Sequence, residues 1–404
     1  MVETTDALFA FVVAAVLAWL LVPTAERIAR RVGAIDEPRD RSLHDTPTPK
    51  LSGLAILVAV EVAGLIFLPW DGETRAILGG AALIALVGAI DDIFELPALP
   101  KLIGQAGAAV IPVLAGVRVD VLTLPFVGGF ELGWVAYPAT VLGIVAVVNV
   151  INLIDGVDGL AAGVCVISGL ALAVIALSLD RNAAGVLAAL TAGGALGFLR
   201  HGFPPASSFM GDTGSNLLGY LLATASVQGS LKTNAVVALL LPLVVLAVPI
   251  LDTGFVVAKR LKYRQPIYQA DRWHFHHRMA NIGFSQRRTL AYLYGWTAAM
   301  AALALALRFI PYSDDAGNFD FVWLTVMLTF LFAAIAASIY VVGVLEILKL
   351  RRFRLWQVRR AQSAAGGPEP APEEVDRGVQ RELETGSFPA VDPETGEFEA
   401  GGAT

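Results

Sequence analysis

Four short strings in this chain gather carboxylates, amides, glycines and histidines in patterns that chemistry can use. The first is Ile90-Asp91-Asp92-Ile93-Phe94-Glu95. Adjacent carboxylates repel, and holding both ionised in a small site calls for a counter-cation. Ligands that are all oxygen favour a hard ion, and Mg²⁺ is commonly held by one or two carboxylates while phosphates and waters complete its shell. Taken alone, the string also suits a diphosphate-binding prenyltransferase.

The second string is Asn149-Val150-Ile151-Asn152-Leu153-Ile154-Asp155-Gly156-Val157-Asp158-Gly159-Leu160. On a helix, Asn149, Asn152, Asp155 and Asp158 share one face at i, i+3 spacing, while Gly156 and Gly159 predict that the chain opens into a loop. A helix N-cap accounts for Asp158 but not for Asn149, Asn152 or Asp155. The third string, Phe209-Met210-Gly211-Asp212-Thr213-Gly214-Ser215-Asn216, is a glycine-rich turn opening a helix. Free N–H groups and the positive dipole end there can receive a phosphate. Asp212 can instead share a cation with Asp91 and Asp92, and Phe209 is either an aromatic at the membrane interface or a ring that stacks on a base. The fourth string, Asp271-Arg272-Trp273-His274-Phe275-His276-His277-Arg278, lies in a basic loop over residues 259–288. Zinc is conceivable for its histidines, but Arg272 and Arg278 disfavour a cation beside them. Histidine among arginines better suits a pyrophosphate, with Arg giving bidentate contacts and His exchanging a proton near neutral pH.

Composition says what must hold these strings. The 404 residues are 56% hydrophobic and 16% charged, with a net charge of −6 and a mean hydropathy of +0.67. A soluble domain is roughly a quarter charged, so that class is excluded. Apolar blocks of about 17 to 25 residues match the helix length that crosses about 30 Å of hydrocarbon, and they lack the alternation of a transmembrane β-barrel. The predicted fold is all-α, a polytopic bundle of about eleven spans. They lie near 6–22, 51–68, 75–90, 102–117, 134–151, 159–179, 183–199, 214–229, 234–251, 289–309 and 321–346. The first block has acids at Glu3 and Asp6 in place of a basic flank and reads as a retained helix, not a signal peptide. The single cysteine, Cys165, excludes an intrachain disulfide and a multi-cysteine metal site.

The positive-inside rule orients the bundle with its N-terminus outside and its C-terminus cytoplasmic. That choice puts 24 of the 29 Lys and Arg inside and leaves Arg75, Arg118, Arg181, Lys232 and Arg308 outside. It also sets Asp91, Asp92, Asp155, Asp158, Asp212 and Asp252 at cytoplasmic ends of spans. Residues 1–360 read as one multi-span transmembrane domain with active-site loops in the cytoplasm. Residues 361–404, with ten acids and two bases, read as a disordered cytoplasmic tail. The acidity of the chain belongs to that tail and to the outer surface. The cytoplasmic face of the membrane body is cationic, as a site for phosphates requires.

A carboxylate-bound metal, a cationic loop and a position where a membrane lipid can enter describe a phosphoryl transferase joining a nucleotide substrate to a lipid. An intramembrane prenyltransferase predicts a second acid-rich motif late in the chain, where this one carries His and Arg. An ion-coupled transporter expects its charges near mid-span, and here they gather at one face. Nothing points to nucleic acid as a partner, and a homodimer is left open.

The order DD, NxxNxxDGxDGL, FMGDTGS and HxHH resembles the polyprenyl-phosphate N-acetylhexosamine-1-phosphate transferase superfamily, glycosyltransferase family 4, over about Val22 to Arg288. The string from Asp271 to His277 is similar to the branch that transfers GlcNAc-1-phosphate from UDP-GlcNAc to undecaprenyl or decaprenyl phosphate. The sister branch, phospho-MurNAc-pentapeptide transferase, usually has Pro-Glu before its histidines. The resemblance implies a bacterial cell-membrane enzyme that opens cell-wall or surface-polysaccharide synthesis, including teichoic acid or lipopolysaccharide. It implies Mg²⁺, or Mn²⁺ in its place, at Asp91, Asp92 and Asp212, with Asp91 as the base toward the acceptor phosphate. It gives Asn149, Asn152, Asp155 and Asp158 to the nucleotide pocket and Phe209 to uracil. Phosphate contacts fall to His274, His276 and His277 with Arg272 and Arg278, and the lipid phosphate to Lys101 and Gln105. Lys101 also obeys the positive-inside rule. The chain departs from the family pattern at Gly202, where Asn is general, at Ser52, where a second glycine is usual, and at Lys50, where Arg is common.

Overall fold

The computed structural model describes residues 3–37, 47–124, 128–230, 242–262, 285–309 and 320–338, apart from 327, 333 and 337. The chain divides into two compact units, one of Met1–Ile250 with Leu290–Ile310 and the other of Leu251–Thr289 with Pro311–Thr404. The first unit holds α1 (Thr4–Val32), α2 (Gly53–Phe67), α3 (Gly72–Phe94), α4 (Ala98–Leu114), α5 (Ala136–Ile154), α6 (Leu160–Ser178), α7 (Asn182–Gly202) and α8 (Gly211–Ser230). Two further helices, α9 (Ala247–Lys262) and α10 (Gln286–Phe309), run across the boundary between the units. The first eight predicted spans and the one at 289–309 fall on these helices, α1 runs ten residues beyond the first of them, and the spans at 234–251 and 321–346 lie partly outside the described residues. The last described segment is an apolar helix at Phe321–Ala336.

Among the described residues, six helices are long and apolar enough to cross a bilayer: α1, α3, Gly133–Ile154, α6, α7 and α10. The chain is a multi-pass, mainly α-helical membrane protein. Among the described residues, two antiparallel ribbons add to the predicted class. One pairs β1 (Ile35–Asp36) with β2 (Thr48–Pro49), and the other pairs β3 (Val121–Leu124) with β4 (Gly128–Glu131). Such short strands carry too few alternating residues to announce themselves in a sequence.

Small residues set the helix packing, since close backbone approach is what holds helices together in lipid. Along α1, Ala7, Ala10, Ala14, Ala18, Ala25 and Ala29 form a buried stripe. Opposite it on α7, a Cβ on Gly193 or Gly197 would run into the carbonyls of Phe11 and Ala15. Helix α8 is the hub: Leu217, Leu218, Tyr220, Leu221 and Leu222 are fully buried, and α8 packs on α2, α3, α5, α6 and α7. Its glycines and those facing it let the backbones touch. Gly53 of α2 lies against the Gly214 backbone, Gly88 of α3 against the Asp212 carbonyl, and Gly219 has Val148 Cα at 2.8 Å from its Cβ position.

Candidate active site

The packing around α8 brings four helix ends together. Asp91 sits in the last turn of α3, Lys101 in the first turn of α4, Asn152 in the last turn of α5 and Asp212 in the first turn of α8. Lys101 Nζ lies 2.9 Å from Asp91 Oδ2 and pairs with Asp212 Oδ2 as well. Asp212 stays reachable, with 28% of its side chain exposed against 11% for Asp91. Its other oxygen, Oδ1, accepts from Asn152 Nδ2 at 2.8 Å, and the same amide reaches Ser215 Oγ at 2.9 Å. Asp91 Oδ1 accepts the Leu96 N–H at 2.7 Å, which closes the α3–α4 turn over the carboxylate.

Asp92 faces elsewhere. It is 6% exposed. Its Oδ1 accepts the Asp212 N–H at 2.9 Å, and its Oδ2 accepts the Thr213 N–H at 2.9 Å and the Thr213 hydroxyl at 2.6 Å. It therefore caps α8 from another helix, satisfying N–H groups that a helix start leaves open. Gly211, at φ +65°, makes the turn into α8, and a Cβ there would strike the Lys50 carbonyl and the Asp92 carboxylate.

A second layer of amides lies deeper. Asn149 Nδ2 donates to Gln105 Oε1 at 2.7 Å, and Gln105 Nε2 donates to Asn216 Oδ1 at 3.3 Å. Gln105 and Asn216 are fully buried, and Asn216 Nδ2 has no partner among the described residues. Chain segment 47–53 straps the start of α8: Phe209 N–H donates to the Pro49 carbonyl at 2.9 Å, Ser52 N–H to the Phe209 carbonyl at 3.1 Å, and Gly53 N–H to the Met210 carbonyl at 3.0 Å. Ser52, the departure from the glycine pattern, has a partner of its own in Ser208, with their hydroxyl oxygens 2.5 Å apart. At Gly202, the other departure, a Cβ would come within 2.5 Å of the Phe198 ring, so an asparagine would need that ring to move.

Asp155 and Asp158 lie on the α5–α6 turn. Asp158 Oδ2 accepts the Ala206 N–H at 3.1 Å, joining that turn to the segment that leads to Phe209. Desolvation by burial holds the Asp155 carboxyl well above the usual carboxylate range, and the charges of Asp212, Asp92 and Asp158 push it the same way. The sequence-based site thus divides. Asp91, Lys101, Asn152 and Asp212 converge, Gln105 and Asn149 stand behind them, and Asp92, Asp155, Asp158 and Phe209 belong to the segments that frame them. Thr213 and Ser215, which sequence reasoning gave no role, secure Asp92 and Asn152. Arg272, His274, His276, His277 and Arg278 lie outside the described residues, as does the tail from 361 to 404. Asp252 lies on α9 in the second unit and is buried.

Among the described residues no three Asp, Glu, His or Cys side chains form a metal-holding group. Two carboxylates do converge on one cationic group, Lys101 Nζ. That donor set fits Mg²⁺, which takes one or two carboxylates and leaves its remaining positions to phosphate and water.

A family model described as Glycosyl transferase family 4 matches residues 74–230, the segment that contributes every converging side chain. The chain is 39% identical over 301 residues to the "Probable undecaprenyl-phosphate N-acetylglucosaminyl 1-phosphate transferase" of Bacillus subtilis (strain 168), covering 73% of this chain and 84% of that protein. It is 33% identical over 334 residues to the "Decaprenyl-phosphate N-acetylglucosaminephosphotransferase" of Mycobacterium tuberculosis (strain ATCC 25618 / H37Rv), covering 75% and 83%. It is also 32% identical over 327 residues to the "Phospho-N-acetylmuramoyl-pentapeptide-transferase" of Desulforudis audaxviator (strain MP104C), covering 74% and 95%. With the family model spanning the helices that build the site and a relative 39% identical over 84% of its own length, the chain belongs to glycosyl transferase family 4.

Proposed function

We propose that this protein transfers GlcNAc-1-phosphate from UDP-GlcNAc to a polyprenyl phosphate, releasing UMP, as the first membrane step of a cell-wall or surface polysaccharide. The observation that carries the reading is the convergence of Asp91, Lys101, Asn152 and Asp212 at four helix ends. It occurs in a chain 39% identical to a Bacillus subtilis protein named for such a transfer. The site opens to the cytoplasm of a bacterial cell membrane, with about eleven spans, the N-terminus outside and the C-terminus inside. That orientation follows from the charge asymmetry of the loops.

In the reaction an oxygen of the acceptor phosphate attacks the β-phosphorus of the UDP-sugar. The bond from that phosphorus to the bridging oxygen breaks, and UMP leaves with the bond's electrons. Asp91 takes the acceptor's proton, and Lys101, between Asp91 and Asp212, offsets the negative charge of the arriving phosphate. Asp212 and Asp91 would hold Mg²⁺, or Mn²⁺, which when bound neutralises charge on the diphosphate. Asn152 orients Asp212, and Asp92 fixes the helix start that carries it. Phe209 stacks on uracil, Asp155 and Asp158 shape the nucleotide pocket, and His274, His276 and His277 with Arg272 and Arg278 contact the phosphates. Most of the rate comes from positioning and charge placement. Direct attack is the preferred route, and a phospho-enzyme trapped at Asp212 or Asp91 would establish the two-step one in its place.

The test is exchange of labelled UMP into UDP-GlcNAc by purified protein with polyprenyl phosphate and Mg²⁺, beside UDP-MurNAc-pentapeptide and UDP-GalNAc. Exchange with UDP-GlcNAc that needs both lipid and Mg²⁺ is expected. Exchange with UDP-MurNAc-pentapeptide alone would move the protein to the sister reaction, and no exchange with any UDP-sugar would sink the transferase reading.

A further inference from the structure

The turn between α5 and α6 that carries Asp155 and Asp158 is gripped from two directions. On one side it meets the end of α7: a Cβ on Gly159 would sit 3.0 Å from Leu199 Cδ1 and 3.2 Å from the Gly202 carbonyl. On the other side it receives Tyr294 of α10, whose hydroxyl donates to the Gly159 carbonyl at 2.6 Å. Gly159 stands at φ +75°, and its carbonyl also accepts the Gly163 N–H at 2.9 Å in the first turn of α6. The ring of Tyr294 has a prepared seat. A Cβ on Gly163 would collide with the phenol ring, so the absence of a side chain at 163 is what lets the tyrosine lie on α6.

Phenylalanine would fill the same seat, which leaves the hydroxyl the narrower task of holding one carbonyl of one turn. That carbonyl belongs to the residue next to Asp158, whose carboxylate reaches across to Ala206 N–H. In the chain, Tyr294 follows Arg278, the end of the histidine- and arginine-rich string, by sixteen residues.

We propose that Tyr294 is a positioning residue for the sugar nucleotide. Its hydroxyl fixes the Gly159 carbonyl, and with it the orientation of the Asp155–Asp158 turn, without touching substrate. The proposal rests on the reading above in giving that turn to the nucleotide. Neither Tyr294 nor Gly163 is part of the catalytic or binding machinery.

The test is Tyr294→Phe in the full-length protein, with Gly163→Ala as a second route to the same displacement. One lost hydrogen bond changes binding by about threefold to tenfold. The KM for UDP-GlcNAc is therefore expected to rise by about that factor, with kcat and the KM for polyprenyl phosphate unchanged. Amide hydrogen exchange is expected to quicken over residues 155–163 in Tyr294→Phe and to stay at the wild-type rate in α1 and α7. An unchanged KM for UDP-GlcNAc in an active wild type, or an equal rise for both substrates, overturns the proposal and leaves the transferase reading intact. A wild type that transfers no UDP-sugar removes the transferase reading instead. Amide exchange then decides alone: unchanged rates over 155–163 overturn the positioning of the turn, and faster rates confined there uphold it.

Discussion

Asp92 and Thr213 are joined twice through one carboxylate oxygen, to the backbone N–H at 2.9 Å and to the hydroxyl at 2.6 Å. Asp92 lies in the last turn of α3 and Thr213 in the first turn of α8, so the pair locks two helix ends at a fixed distance. That lock sets where Asp212 stands relative to Asp91. Two adjacent carboxylates are therefore placed differently: Asp91 faces Lys101, and Asp92 faces the start of α8.

Replacing each in turn separates the two roles. In Asp92→Asn one oxygen becomes an NH₂ group that cannot accept from the α8 start, leaving a buried donor unsatisfied at a cost of about 1–3 kcal/mol. Asp92→Asn is expected to unfold at a lower temperature in detergent and to lose activity with it. Asp91→Asn keeps an acceptor for Leu96 N–H and is expected to unfold with the wild type, while turnover falls by about 100-fold or more. Identical unfolding curves for the two variants would contradict this division.

Lys101 occupies the position between Asp91 and Asp212 that a metal ion would share. Lys101→Met removes a positive charge from beside both carboxylates, so Mg²⁺ should bind the free protein more tightly. Without substrate, Mg²⁺ is expected to raise the unfolding temperature of Lys101→Met more than that of the wild type, since a ligand that binds only the folded state stabilises it by mass action. Turnover should still fall by about 100-fold, because in the proposed mechanism this charge meets the arriving phosphate. A variant whose unfolding ignores Mg²⁺ would argue against a metal at this carboxylate pair.

Asn152 gives one amide nitrogen to Asp212 Oδ1 and to Ser215 Oγ. Asn152→Ala frees Asp212 to rotate, and kcat should drop by about tenfold to 100-fold, the worth of one hydrogen bond to a charged group. Asn152→Asp sets a carboxylate against a carboxylate, so its loss should be larger and should lessen as pH falls and one of the two is protonated. Equal losses for Ala and Asp across pH 6 to 8, an arbitrary range of about two units around neutrality, would show that charge is not what this position controls.

Much of the site was legible because each string pairs a helix end with polar residues that hydrocarbon does not tolerate. Asp91, Asn152 and Asp212 could be placed together from those strings. The capping contacts of Asp92 do not show in its string: neighbours on α3 are about 100° apart, and its oxygens accept from Asp212 and Thr213, about 120 positions away. Thr213 and Ser215 read as ordinary residues of a helix start, since their partners lie 121 and 63 positions away. Tyr294 sits in an apolar helix with no local pattern to set it apart, and only the packing of α10 on α6 gives its hydroxyl a partner.

Gly211 offers the sharpest check on how tightly α8 is seated. It stands at φ +65°, and a Cβ there would collide with the Lys50 carbonyl and crowd both Asp92 oxygens. Gly107 on α4 is the opposite case, with nothing within 4 Å of its Cβ position. In Gly211→Ala the left-handed backbone alone costs about 1–2 kcal/mol, and displacing Asp92 from Thr213 adds the loss of a buried cap. In Gly107→Ala the new methyl group meets open space and the helix gains up to about 1 kcal/mol from the better helix former. Thermal unfolding should therefore move in opposite directions for the two variants, with transfer activity lost in the first and kept in the second. Should Gly211→Ala unfold no earlier than Gly107→Ala, the close seating of Asp92 against the α8 start would be wrong, and with it the separation of the two aspartates.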